Sequence, residues 1–351
     1  NCMQKSREFK LSAISDAHVG TDIKYGRHSL KEAITQSETG GSEGGTPFEW
    51  TIAVNLGDFS GSQIAPNDEE GKLVVSQYNE SKKHPREHFY DLIGNHDATT
   101  HKEKLQWWFR KWIDPTGENT KYSRVNSNNR PFPIEGTWEH YSFEVGNIVF
   151  LMLADRNDLP PPIGRGSYGG YPAGAISEET FSWWRKKIKK NPGKIIITCA
   201  HHMLKGTTVA TGLNEGCEGE YHGKFNDGAP QGSSFIYFVG NQPDSEKIES
   251  FLFENQPAID IWLGGHTHTN PDDEINGRSH IEKKWGVNFA NVSALSRYHG
   301  KKNIPMSRLL TFTEGSKTVK IQCYLHTSQY SDQGWYKPAE KVITLRHPFR
   351  N

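Results

Sequence analysis

The chain reads as an α/β protein built from two packed mixed sheets with helices outside. Three observations predict this. In the first half, apolar β-prone runs alternate with helix-patterned stretches. In the middle, two β-prone runs are joined by Gly146-Asn147, a hairpin turn signal, so the sheet is mixed rather than purely parallel. After residue 268 the pattern turns to β character.

Taken in order, residues 10–15 form the first expected strand and residues 27–38 a helix. Gly40, Gly41, Gly44 and Gly45 follow without the spacing or the Lys-Ser/Thr ending of a phosphate cradle, and read as a flexible surface loop. A strand over 51–56, a polar helix over 68–82 and a strand over 89–93 come next. Trp107, Trp108, Phe109 and Trp112 share a helix face packed on the body. Strands over 140–145 and 148–154 make the hairpin; a helix with Trp183 and Trp184 ends near Lys190, before Asn191-Pro192-Gly193. Further strands are expected over 194–200, 259–263, 288–292, 309–312, 319–324 and 342–345. With no internal repeat and no long linker, residues 1–351 read as a single domain. Its long loop insertions cover about 98–140, 155–175 and 203–243. The last of these reads as a lid or specificity element; Tyr168, Tyr171, Tyr221 and His222 are candidates for a substrate wall.

Composition excludes several classes. Lys+Arg and Asp+Glu balance at 41 each, so nothing points to a nucleic-acid polymer or an acidic membrane surface. The longest apolar runs are too short to span a bilayer. Four cysteines in 351 residues are no disulfide framework, although a Cys217–Cys323 bridge is open. Cys199 reads as a small buried filler. Cys2 stands where a lipid-modified cysteine can sit; that reading implies a periplasmic or lipid-anchored extracytoplasmic protein, and its absence a cytoplasmic one.

Five short segments carry the chemistry: Asp16-Ala17-His18, Gly57-Asp58, Gly94-Asn95-His96-Asp97, His201-His202 and Gly264-Gly265-His266-Thr267-His268. Each follows a β-prone run, and residues that follow strands in an α/β sheet gather at one edge. Asp and His suit Mn, Fe and Zn, and a thiolate set is absent. Asp16 and His18 are two apart and face one metal if the strand end kinks. Asp58 has two oxygens and can bridge two ions, and Asn95 adds a neutral amide oxygen. Ions about 3.5–4 Å apart can activate a water and clamp a phosphoryl group.

This ordered set resembles the motif series of the calcineurin-like metallophosphoesterase superfamily: D-x-H, G-D, G-N-H-[DE], H and G-H-x-H. The resemblance implies a four-layer α/β/β/α sandwich around a dinuclear centre. It implies Asp16, His18, Asp58 and His268 at one metal, and Asp58, Asn95, His201 and His266 at the other. The cofactors would be two divalent or trivalent ions of Mn, Fe or Zn. The family pattern favours His201 over His202 as ligand, although Met203 stands where a Pro is usual; His202 would support the metal shell or face the substrate. His96 would sit beside the substrate with Asn95 and assist the leaving oxygen, with Asp97 as a second catalytic candidate. Arg156, at another strand end, is a candidate phosphate contact.

Two departures narrow the branch. Phe59-Ser60-Gly61 follows Asp58 in place of the Asp-Arg-Gly ending of the Ser/Thr protein phosphatases, and Gly61 occupies the position of the purple acid phosphatase tyrosine. The function expected is hydrolysis of a small-molecule phosphate ester by a hydroxide bridging two metals, a phosphodiester first and a monoester or pyrophosphate second. A non-catalytic, metal-stabilised scaffold on the same fold is the alternative of another class. The oligomeric state is not legible.

Overall fold

The computed structural model describes residues 7–99, 103–156, 174–213, 215, 224–226, 229–231, 234–236, 245–298 and 303–351. Cys2, Tyr168, Tyr171, Cys217, Tyr221 and His222 lie outside them. The strands are β1 (Glu8–Ile14), β2 (Ile52–Asn55), β3 (Phe89–Asp91), β4 (Glu135–Gly136), β5 (His140–Val145), β6 (Ile148–Leu153), β7 (Ile195–Cys199) and β8 (Lys224–Asn226). They continue as β9 (Ala229–Gln231), β10 (Ile261–Gly264), β11 (Ile281–Lys284), β12 (Val287–Asn291), β13 (Met306–Thr313), β14 (Thr318–Leu325), β15 (Gly334–Trp335) and β16 (Lys341–Thr344). The helices are α1 (Ser29–Thr39), α2 (Asp68–Tyr78), α3 (Trp107–Trp112), α4 (Thr120–Ser123), α5 (Glu178–Lys190) and α6 (Ser245–Glu254).

Two large sheets are mixed, as the hairpin signal implies. The first runs β15-β14-β13-β1-β2-β3, with β16 also on β14; the second runs β11-β12-β10-β7-β6-β5-β4. Within the first, β1, β2 and β3 are parallel. Within the second, β6, β7, β10 and β12 are parallel. Parallel strands end at a common edge, and this places the loops after β1, β2 and β3 together, and likewise those after β7 and β10.

Alternation along the strands sorts side chains into layers. Leu11, Ile52, Val54 and Tyr90 of the first sheet share one core with Phe143, Phe150, Ile197 and Leu263 of the second. Tyr90 stacks on Phe143 across the gap at 4.0 Å, and Phe143 on Phe150 at 4.5 Å. Each fully buried side chain of this size contributes about 1.5–3 kcal/mol. The outer face of the first sheet packs Leu30 and Ile34 of α1, Val74 of α2 and Trp108 of α3. The outer face of the second packs Phe181, Trp184 and Ile188 of α5 with Ile248 and Leu252 of α6. The order is therefore α/β/β/α.

Some local expectations change. The helix expected to reach residue 82 stops at Tyr78. The glycine loop after α1 is a packed element, not a loose one. Gly45 N–H donates to Gln333 Oε1 at 2.6 Å, and a Cβ at Gly41 or Gly45 would fall 2.0 or 2.3 Å from that oxygen. Only glycine lets this loop close over the Gln333 side chain. Cys323 is a free buried thiol, 4.0 Å from Met306 Sδ, and Cys217, its partner in the bridge left open, lies outside the described residues. No helix among the described residues is long and apolar enough to cross a membrane.

Candidate metal centre

The five segments meet at the shared strand edge. Asp16, His18, Asp58 and His266 all have positive φ, at 54°, 39°, 59° and 68°. These values are costly for residues with a Cβ and typical of functional sites. They supply the kink that lets Asp16 and His18 face the same way. Gly57, at φ 100°, brings the loop after β2 against the loop after β3, because a Cβ there would lie 2.4 Å from Gly94 N.

Each carboxylate divides its oxygens. Asp16 Oδ2 accepts from Ser15 Oγ and His266 N at 2.5 and 2.8 Å, while Oδ1 lies 3.1 Å from His268 Nε2 and 3.4 Å from His18 Nε2. Asp58 Oδ1 accepts from His96 N at 2.9 Å, while Oδ2 lies 3.0 Å from His201 Nε2 and 3.7 Å from His18 Nε2. One oxygen is anchored and the other points inward. The ring nitrogens converge likewise: His18 Nε2 is 3.3 Å from His268 Nε2, and His266 Nδ1 is 3.3 Å from His201 Nε2. Ligand atoms of Asp16, His18 and His268 fall within 4.8 Å of one another, as do those of Asp16, Asp58, His201 and His266.

The tautomers show that these residues fit divalent cations. His18 Nδ1 faces Ser60 O at 2.8 Å, and His201 Nδ1 faces Leu56 O at 2.7 Å. A carbonyl accepts only, so the proton sits on Nδ1 and the Nε2 lone pair turns to the centre. His268 Nδ1 lies 3.0 Å from Tyr298 O and 3.1 Å from Asn303 Nδ2. Lone pairs and carboxylate oxygens at these separations repel unless positive charge lies among them. The same demand appears in the acid–base balance. Burial favours neutral His201, yet Asp58 and Asp16 outweigh it and push the ring up to about 10. Burial also works against ionised Asp58, but His201 and His96 hold its carboxyl down at about 2. A cation in the cluster meets this demand without a proton.

The remaining expected residues lie around this cluster: a ligand atom of His96 falls within 4.8 Å of those of His18 and Asp58, and one of His202 within 4.8 Å of those of His201 and His266. Asn95 and His96 are buried in the turn Asn95–Asp97. His96 Nδ1 faces Ser62 O at 2.8 Å, and its ring lies edge-on to His18 at 5.0 Å. Burial brings His96 down to about 4, against the pull of Asp58. Asp97, the second catalytic candidate, is buried. Its oxygens accept from Asp58 N, Phe59 N, Ser60 N and Gly94 N at 2.8, 2.8, 3.0 and 2.9 Å. It ties the loop after β2 to the loop after β3. His202 packs its ring on His266 at 4.0 Å, with Nδ1 3.9 Å from Asp155 Oδ2. Arg156 Nη1 is paired with Glu139 Oε1 at 2.6 Å, so its guanidinium has a carboxylate partner within the protein.

Sequence reading missed Tyr298. Its ring covers His18 at 4.5 Å, its carbonyl meets His268, and its hydroxyl accepts from Gln63 Nε2. No motif marks it, because it follows the last His pair by thirty residues of ordinary β pattern and loop. The supporting carbonyls of Leu56, Ser60 and Ser62 were equally illegible, since any residue supplies one.

Among solved structures, the chain is similar to GAP50, the anchor in the inner membrane complex of Plasmodium. Identity is 11%, coverage 97% of this chain and 90% of that one, and the TM-score 0.51. A conserved uncharacterized protein (predicted phosphoesterase) of Streptococcus pneumoniae matches at 9% identity, covering 96% and 98%, with a TM-score of 0.36. Sulfate thiohydrolase SoxB of Thermus thermophilus matches at 10% identity, covering 98% and 58%, with a TM-score of 0.34. At such identities the likeness is one of fold alone. No curated protein matches this chain. The family model for calcineurin-like phosphoesterase matches residues 9–270, from the first strand through the last His pair. That span takes in every segment of the centre and the strands that lead into them, and the chain belongs to the calcineurin-like phosphoesterase family.

Proposed function

We propose that this protein is a metal-dependent phosphoesterase with two cation sites that share Asp58. The observation that carries the reading is the position of Asp58 Oδ2, 3.0 Å from the ring nitrogen of His201 in one group and 3.7 Å from that of His18 in the other. Asp16, His18 and His268 complete one set; Asn95, His201 and His266 complete the second. When bound, two cations supply a water of lowered pKa and positive charge against the phosphoryl oxygens. Mn, Fe and Zn suit this oxygen and imidazole set.

The protein's own groups do the rest. His96 holds its Nδ1 proton on Ser62 O, which keeps Nε2 for the ester. Neutral in the buried site, it takes up a proton as a phosphate anion arrives and releases it to the leaving oxygen. Asn95 contributes an amide to the same face. Asp97 holds the two loops in register rather than moving a proton, because both of its oxygens are taken by backbone donors. His202 supports His266 from behind.

A phosphodiester is the substrate class we place first. Arg156, the cation expected at the phosphate, is paired with Glu139, so among the described residues this strand end offers no unshared guanidinium for a monoester dianion. A diester carries one charge less. The deciding assay is Mn-supplemented hydrolysis of bis-p-nitrophenyl phosphate beside p-nitrophenyl phosphate, with a chelated control. Faster, chelator-sensitive diester cleavage supports the reading, and a monoester preference reverses the substrate order. Tight metal binding with no turnover of either ester would favour the non-catalytic scaffold.

A further inference from the structure

We propose that Glu70, on α2 and outside every metal-ligand segment, is a positioning residue for His18 and His96; the inference rests on the phosphoesterase reading above. Glu70 is half-buried. Its carboxylate gathers three donors: Ser60 Oγ at 2.8 Å, Ser62 Oγ at 2.9 Å and Asn67 N at 3.1 Å. An ionised carboxylate only accepts, so both serine hydroxyls donate to it in charge-assisted bonds. Ser62 N donates in turn to Ser60 Oγ at 3.0 Å. Hydroxyls and amide thus fix the segment 60–62 on the side of α2.

The main-chain carbonyls of the same two serines face the other way. Ser60 O meets His18 Nδ1 and Ser62 O meets His96 Nδ1, both at 2.8 Å. Each carbonyl sets its ring's tautomer and tilt, and with them the direction of the Nε2 lone pair. One carboxylate therefore controls two rings, one a candidate ligand and one beside the reacting ester. The loop leaving Gly57-Asp58 lacks the charged residues that could anchor it from within, since Phe59, Ser60, Gly61 and Ser62 follow. Glu70 supplies that charge from the helix.

Glu70 has a second task that must be separated from this one. With Asn67 it forms the capping box of α2: Glu70 N donates to Asn67 Oδ1 at 3.0 Å, and Asn67 N donates back. Loss of such a cap lowers stability wherever it occurs. Asn67→Ala removes the cap oxygen and leaves both serine bonds to Glu70. The Ser60→Ala/Ser62→Ala pair does the reverse, leaving the cap and both carbonyls.

The experiment compares Glu70→Ala, Glu70→Gln, Asn67→Ala and the double serine variant with the parent. It uses two readouts on the full chain: Mn²⁺ affinity by titration calorimetry, and the Nδ1–H resonances of His18 and His96 in the metal-free protein. Glu70→Ala and the double serine variant should bind Mn²⁺ about 10-fold more weakly and lose or broaden both resonances. Turnover of the diester should fall by about 10-fold in kcat with KM within about twofold. Glu70→Gln, which can still accept from one serine and donate to the other, should recover most of the affinity. Asn67→Ala should melt as early as Glu70→Ala yet keep parent affinity and resonances. Parent-like resonances and affinity in Glu70→Ala would overturn the proposal, as would equal losses in Asn67→Ala. A parent protein that hydrolyses no ester would defeat the functional reading, while the resonances would still decide the role of Glu70.

Discussion

His96 and the two adjacent histidines carry the sharpest expectations at the residue scale. The proposed ligand sets are complete without His96, whose Nδ1 is spent on Ser62 O, although a ligand atom of His96 also comes within 4.8 Å of those of His18 and Asp58. His96→Ala should therefore keep its bound metal and lower turnover by roughly 100-fold. Metal content and kcat measured on one preparation check this, and unchanged turnover would remove His96 from the chemistry. His201 sits 3.0 Å from Asp58 and 3.3 Å from His266, with Nδ1 on a carbonyl, whereas His202 leans on His266 and Asp155. His201→Ala should lose far more metal than His202→Ala in equilibrium dialysis. The reverse order would move the ligand register by one. Adjacent residues are hard to rank from sequence because a turn after a strand can present either one. Here the Leu56 carbonyl, 2.7 Å from His201 Nδ1, is the observation that favours His201 as the proposed ligand.

At the scale of elements, long apolar strands were legible and their polar neighbours were not. Ile195–Cys199 and Ile148–Leu153 bury every residue, and such runs stand out in any window. The edge strand Ile281–Lys284 went unpredicted because Glu282, Lys283 and Lys284 blur its pattern; pairing with Val287–Asn291 makes it a strand. The C-terminal sheet also holds a pH-sensitive pair. His326, just past Thr318–Leu325, is buried; its Nδ1–H donates to Gln36 Oε1 at 2.7 Å, and Ser307 Oγ–H donates to Nε2 at 2.8 Å. Burial, then the charge of Arg27, brings the ring down from 6.5 to about 3. The unfolded chain takes up this proton near 6.5 and the native chain does not. The contribution is therefore complete above pH 6.5 and is lost as the pH falls towards 3. Between pH 7 and 5 the parent should lose about 2 kcal/mol more stability than His326→Gln, read by urea unfolding. Equal losses would mean that His326 titrates alike in both states. The variant itself should be less stable at pH 7 by about 1 kcal/mol, from the impaired hydrogen bonds.

For the whole molecule, the centre lies where two sheets meet, so loading it should brace both. Candidate ligands from the loops after β1, β2 and β3 face those after β7 and β10. Saturating Mn²⁺, at about 100 times its Kd, should add about 2.7 kcal/mol per site to native stability. Calorimetric melting should rise accordingly and fall back with chelator; an unchanged midpoint would separate the centre from folding. The sequence by itself determined the α/β class, the positions of the main strands and the ordered Asp, Asn and His segments. It could do so because burial period and strand-end chemistry are local patterns. Tertiary structure alone decided that Arg156 is paired with Glu139, that Asp97 clamps two loops and that Tyr298 covers His18. It also decided which ring nitrogen of each histidine turns inward. Those outcomes depend on carbonyls and carboxylates brought from distant parts of the chain, and a backbone carbonyl has no signature in the residue that carries it.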